Sequence, residues 1–175
     1  MITVLVFDWG GTVMRNFGEY QGPMARWPRV EAVPGVQEAL AGLHNQYRLA
    51  LATNAMDSGK ELVKEALARV HLEMYFDDVF TAKELGVLKP SRDFYEAVLR
   101  CLGCLPREVA MIGDDYEVDI LAAKKAGMRA VWLNPVGAGP DSETRSAADV
   151  EFRCFNEFGT ALEVLLGRVA GRSTA

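Results

Sequence analysis

Apolar runs of strand length recur along this chain: residues 3–7, 47–53, 76–81, 109–113 and 129–133, with a shorter one at Val150-Glu151-Phe152. The runs at 3–7 and 109–112 are continuous rather than alternating. That pattern predicts strands covered on both faces, as in a parallel sheet. Between the runs, apolar residues fall at helical spacing. Val36, Leu40 and Leu43 follow Pro34, which suits the first turn of a helix. Leu62, Val63, Ala66, Leu67 and Val70 follow Asp57 and Ser58, either of which predicts an N-cap. Phe94, Tyr95, Val98, Leu99 and Leu102 follow Ser91. A helix over about 117–125 closes at Gly127. Phe158, Leu162, Leu165 and Leu166 follow Asn156 as the cap of a last helix.

Strand and helix alternate throughout. The class this predicts is α/β: a doubly wound (Rossmann-like), mostly parallel sheet with helices on both faces. Residues 13–33 break the rhythm, with Gly18, Gly22, Pro23 and Pro28 scattered among Arg15, Arg26 and Arg29. Such a density of breakers predicts a loop or short hairpin over the end of the first strand: a short flap, with no large cap. No repeat or linker divides the chain. The expected organisation is one domain over 1–170, with 13–33 as flap or minimal cap and 171–175 as a fraying tail. The stretch from Asn134 to Ala148, with Pro135, Gly137, Gly139 and Pro140, predicts a loop.

Composition narrows the classes without choosing one. The 175 residues are half apolar and a quarter charged, ordinary for a globular domain with a real core. A net charge of −5 offers no basic field, so nucleic acid is not an expected partner. No apolar stretch approaches the ~20 residues of a membrane span. The amino end carries no signal-peptide pattern, which makes the cytoplasm the expected location. Cys101 and Cys104 form a Cys-x-x-Cys, readable as half a zinc site, a redox pair, or two small apolar residues near the end of a core-facing helix. Zinc would want four ligands, and His44 and His71 are far away in sequence, so the last reading is preferred.

Candidate chemistry gathers at the strand ends. Asp8 ends the first run, Thr53-Asn54 the second, and Asp114-Asp115 the fourth, with Asp119 one turn on. Lys89 sits in the loop marked by Gly86 and Pro90. In a parallel sheet these ends converge on the edge where ligands bind. Phosphoryl transfer to a carboxylate needs a nucleophile, a divalent cation, donors for the phosphoryl oxygens, and a lysine to balance charge. The inventory contains each part. Taken singly, each has a plainer reading as a turn, a cap or a solvated lysine; their order and placement set the group apart.

Asp8-Trp9-Gly10-Gly11-Thr12 resembles motif I (Asp-x-Asp-x-Thr) of the haloacid dehalogenase superfamily. Leu-Ala-Thr53-Asn54 resembles motif II, Gly86 through Pro90 motif III, and Ile112 through Asp119 to Met128 motif IV. The resemblance implies a Mg²⁺-dependent phosphatase that works through an aspartyl-phosphate on Asp8. Asp8, Thr53 and Lys89 would be catalytic. Gly11, Thr53, Asn54 and Lys89 would bind phosphate. Asp8, the Gly10 carbonyl and Asp114 would hold Mg²⁺, with Thr12, Asp115 and Asp119 supporting them; Asp115 could also be a further ligand. The partner implied is a phosphorylated substrate whose identity stays open, as does oligomeric state.

Gly10 departs from the motif. The family's second aspartate gives a backbone carbonyl to the metal and a side chain as general acid; Gly10 keeps only the carbonyl. General acids contribute typically ~10²–10⁴-fold. Three readings follow. The protein is a phosphatase that is slow, selective for good leaving groups, or supplied with an acid by a neighbouring loop, Glu19 being the flap carboxylate nearest in sequence. Or it is a catalytically impaired phosphate-binding protein with a regulatory or scaffold role. Or it performs another chemistry of the superfamily. Phosphonate hydrolases resemble it through Asp-Trp-Ala-Gly-Thr but carry a helical cap this pattern lacks, and dehalogenases do without the Mg²⁺ that the acidic cluster would bind. Trp9, Trp27 and Tyr20 either line the opening or pack beneath and over the flap; Trp132 reads as core.

Overall fold

A computed structural model describes residues 1–137 and 147–168. Among these, six strands form one sheet in the order β3-β2-β1-β4-β5-β6. They are β1 (Val4–Phe7), β2 (Arg48–Thr53), β3 (Asp78–Thr81), β4 (Val109–Gly113), β5 (Arg129–Leu133) and β6 (Val150–Phe152). Every neighbouring pair is parallel. The order reverses at β1, between β2 and β4, so a crevice opens beyond the carboxyl ends of those strands.

The central strands show why the apolar runs are continuous. Side chains alternate across a strand, and β1 sends Leu5 and Phe7 to one face and Val4 and Val6 to the other. The Leu5 face is covered by α1 (Val36–Leu43), α2 (Lys60–Ala68) and the last helix, α6 (Phe158–Leu165). The Val4 face is covered by α4 (Arg92–Leu102) and α5 (Ala122–Lys125). All four residues of β1 and all five of β4 are buried, whereas the edge strand β3 alternates. Each fully buried aliphatic side chain contributes roughly 1.5–3 kcal/mol.

The flap is a folded structure of its own kind. Val33 donates to the Val13 carbonyl at 2.9 Å and Arg15 to that of Glu31 at 2.8 Å, making a short antiparallel ribbon. A 3₁₀ turn at Met24–Arg26 lies between its two arms and buries Met24 and Ala25. The Arg69 guanidinium, just past α2, donates to the carbonyls of Ala25 (3.0 Å) and Trp27 (2.7 Å). An Arg26–Glu65 ion pair lies alongside.

Several local expectations are corrected. Pro34 lies ahead of α1, whose N-cap is Gly35 in the left-handed region. Neither Asp57 nor Ser58 caps α2. Gly59 stands at that position, and the Glu84 carboxylate reaches across to accept from the Lys60 amide at 3.0 Å. Asn156 is not the cap of the last helix; a 3₁₀ turn at Phe155–Glu157 leads into α6 instead. A four-residue helix, α3 (Ala82–Leu85), capped by Thr81, follows β3. Cys101 is exposed rather than core-facing, and all three cysteines are free thiols. The expected loop residues Gly139 and Pro140 and the tail 171–175 lie outside the described residues. No helix among the described residues is long and apolar enough to cross a membrane.

Candidate active site

The site stands where β1, β2 and β4 end. Asp8 follows β1, and its amide continues the sheet pairing by donating to the Ile112 carbonyl at 2.8 Å. Its carboxylate accepts from Lys89 Nζ at 2.5 Å. The same ammonium donates to Asp119 Oδ1 at 2.6 Å and to the Ala52 carbonyl at 3.2 Å, so all three of its protons are used. Lys89 is 4% exposed. A loop lysine reaches so deep because Asn54 clamps its backbone: Asn54 Oδ1 accepts from the Lys89 amide at 2.7 Å, and Nδ2 donates to the Lys89 carbonyl at 3.0 Å.

Asp114 follows β4 and is held from two sides. Thr12 Oγ1 donates to its Oδ1 at 2.7 Å, and Trp132 Nε1 to its carbonyl at 3.1 Å. Asp119 arrives by a different device. Asp115 caps the helix by accepting from the Val118 amide at 2.9 Å, and Tyr116–Leu121 then runs as a π-helical turn before α5. Wide turns of this sort gather at functional positions. Here it tips Asp119 back over Gly113, where a Cβ would run into the Asp119 side chain. The Tyr95 hydroxyl steadies the turn by donating to the Val118 carbonyl at 2.6 Å.

Carboxylate oxygens of Asp8, Asp114 and Asp119 all lie within 4.8 Å of one another. One ammonium among three carboxylates leaves a surplus of negative charge. Burial pushes the Asp119 carboxyl up to about 7, and Asp8 adds to that, against the downward pull of Lys89. Asp114 is raised too, first by burial and then by Asp8, although the Thr12 hydrogen bond opposes this. Burial disfavours the Lys89 ammonium, but Asp8 and Asp119 outweigh it and hold its pKa above the ordinary lysine value. An all-oxygen set with surplus negative charge suits a hard divalent cation, so these residues fit Mg²⁺.

Above this floor is a cleft of about 460 Å³. Asp8, Gly10, Thr53, Asn54, Lys89, Asp114, Asp115 and Asp119 all line it. Gly11 does not. Its amide donates to the Met14 carbonyl at 2.7 Å inside the turn, and at φ +92° a Cβ there would strike the Asp114 carboxylate. Gly11 therefore serves the approach of two chain segments. Thr12 is fully buried behind Asp114. Both polar atoms of the Asn54 carboxamide bond the Lys89 backbone, which leaves the second Nδ2 proton for a ligand. Glu19 is not on the cleft wall; Asp57 is. Trp9 and Trp27 both line the cleft, while Tyr20 stacks edgewise on Trp27 at 5.6 Å. Sequence reasoning missed the cleft residues Asn16 and Met24, since nothing marks them among the polar and apolar residues of a loop. The sequence marks Trp132 only as core, because its bond to the Asp114 carbonyl depends on β5 lying beside β4.

The sequence profile for haloacid dehalogenase-like hydrolases matches residues 10–133. The chain belongs to this family. Among similar proteins, glyceraldehyde 3-phosphate phosphatase of Methanothermobacter thermautotrophicus is 34% identical over 102 residues, 58% of this chain and 44% of that protein. Phosphoserine phosphatase of Thermus thermophilus is 34% identical, over 58% of this chain and 41% of that protein. The chain thus spans somewhat under half the length of these haloacid dehalogenase-like relatives. An uncharacterized protein from Listeria monocytogenes serotype 4b shares the fold, with a TM-score of 0.83 at 22% identity over 95% of this chain and 99% of that one.

Proposed function

We propose that this haloacid dehalogenase-like chain is a Mg²⁺-dependent phosphatase with Asp8 as nucleophile, organised as one domain over residues 1–170. The observation that carries the reading is the buried Lys89 ammonium bridging Asp8 and Asp119 beside Asp114, at the carboxyl edge of a parallel sheet. Two relatives named as phosphatases support it. Asp8, Asp114 and the Gly10 carbonyl would hold the cation, which supplies charge neutralisation for the phosphoryl oxygens.

The residues then divide the work. Lys89 holds the Asp8 carboxylate fixed in direction, and its positive charge lies beside the phosphoryl oxygens as they arrive. Thr53 lines the phosphoryl site, and Asn54 sets the depth of Lys89. Thr12 and Trp132 orient Asp114. One Asp8 oxygen attacks phosphorus, the bond to the leaving oxygen breaks, and that oxygen departs with the electron pair. Water then attacks the aspartyl-phosphate, and orthophosphate leaves carrying both water protons as Asp8 is restored.

The test is turnover of an aryl phosphate with and without Mg²⁺, beside Asp8→Asn. We expect Mg²⁺-dependent turnover in the parent and a loss of several orders of magnitude in Asp8→Asn. The Gly at position 10 favours one rival, a catalytically impaired phosphate-binding protein. That rival predicts equal rates for the parent and Asp8→Asn, with orthophosphate still bound.

A further inference from the structure

The space beside Gly10 is already taken. A Cβ on Gly10 would stand 2.5 Å from Asn16 Oδ1 and 3.2 Å from both Cγ and Nδ2 of that side chain. Gly10 itself lies outside the left-handed region, so its backbone admits any residue, and the competitor for the volume is the Asn16 carboxamide. Asn16 follows directly on the ribbon that pairs Val13 and Arg15 with Val33 and Glu31. Its side chain lines the cleft with Asp8 and Lys89 and has no hydrogen-bond partner among the described residues. The cleft thus holds an uncommitted amide on its flap side. In-line attack by Asp8 puts the leaving oxygen on the side of phosphorus away from the attacking carboxylate oxygen.

We propose that Asn16 is the leaving-group residue of this site, and that it confines the substrate to phosphates whose leaving group departs as a stable anion, acyl and aryl phosphates. This rests on the phosphatase reading above. The Asn16 Nδ2–H donates to the leaving oxygen but gives up no proton. Attack on an acyl phosphate breaks the P–O bond, the acyl oxygen keeps the electron pair as a carboxylate, and charge balances with no proton moved. An alkoxide from an alkyl phosphate would need the proton that an amide does not supply.

The test is kcat/KM at saturating Mg²⁺ for acetyl phosphate, a series of substituted phenyl phosphates and glycerol phosphate. The parent should lose rate steeply as leaving-group basicity rises. Asn16→Asp should flatten that slope and raise glycerol phosphate turnover by ~10²-fold or more. Asn16→Ala should lower acyl and aryl phosphate rates about fivefold, one hydrogen bond's worth, while keeping the slope steep. Should Asn16→Asp unfold, Gly10→Asp/Asn16→Gly brings an acid into the same volume from the other strand, with the same flattening expected. A shallow parent slope, or a slope that neither acidic variant changes while both still bind orthovanadate, overturns this proposal and leaves the phosphatase reading standing. Parent rates no better than those of Asp8→Asn on every substrate overturn both.

Discussion

The two sides of the cleft are built on opposite terms. The floor is buried and closed on itself: Lys89 spends every proton on Asp8, Asp119 and Ala52, and Thr12 holds Asp114. The flap side is open. Trp27 is half-buried, Asn16 and Asp57 are exposed, and the segment is tied down by guanidinium groups on exposed arginines. A preorganised, low-dielectric floor is what stabilises charge in a transition state. An open side held by a few surface contacts is where shape and selectivity can change without disturbing that floor.

The largest break in this contrast comes from Lys89→Met. Removing one partner of a buried ion pair leaves the other charges uncompensated, at a cost of about 3–5 kcal/mol. We expect that loss in urea unfolding at pH 8 with chelator present, together with loss of turnover. At pH 5 the loss should shrink, because Asp119, pushed up to about 7, is then protonated. An equal, small loss at both pH values would mean the ammonium does not hold the floor together.

A second test uses the floor's protons directly. The native Asp119 carboxyl titrates above its unfolded value, so the native chain holds the proton more tightly. Its contribution to stability is full below the unfolded pKa near 4 and is lost as pH rises through about 7. Without metal, the Asp119 contribution therefore declines across that window. A divalent cation held by Asp8 and Asp114 beside it repels the same proton, so its apparent affinity should weaken as pH falls below 7. The check is the rise in Tm on adding Mg²⁺ at pH 8 and at pH 6, with the larger rise expected at pH 8. A rise independent of pH would place the cation away from these carboxylates.

Most of the floor was legible in the sequence because its carboxylates and Thr53 stand at or soon after the end of an apolar run, and a parallel sheet brings such ends to one edge. Asp8, Thr53 and Asp114 follow from pattern alone. Lys89 is weaker taken singly, since a loop lysine is ordinarily solvated, and it stands out only beside the carboxylates whose charge it balances. The flap side was not legible. Asn16 matters because the turn after β1 folds it over Gly10, and no spacing rule encodes that turn. Arg69 looks like one more cation at a helix end until its partners are seen to be carbonyls some 40 residues earlier. The misplaced caps at α2 and α6 have the same origin: Glu84 comes from a distant segment to satisfy the Lys60 amide, and a local propensity argument cannot see it.

The smallest expected effect tests whether the open side is separable. Arg69→Ala removes donors to Ala25, Trp27 and Pro28 but touches neither the floor nor the ribbon that precedes Asn16. Each such bond contributes about 1 kcal/mol net, and less where water replaces the donor, so stability should fall by only ~1 kcal/mol. The Trp27 wall, however, loses the anchor on its backbone carbonyl. Turnover of acetyl phosphate, too small to need that wall, should stay nearly unchanged, while KM for naphthyl phosphate should rise as its ring loses the indole surface. Equal losses on both substrates would show that the flap's anchor also sets the geometry of Asp8 and Lys89, and that the two sides of the cleft work as a single unit.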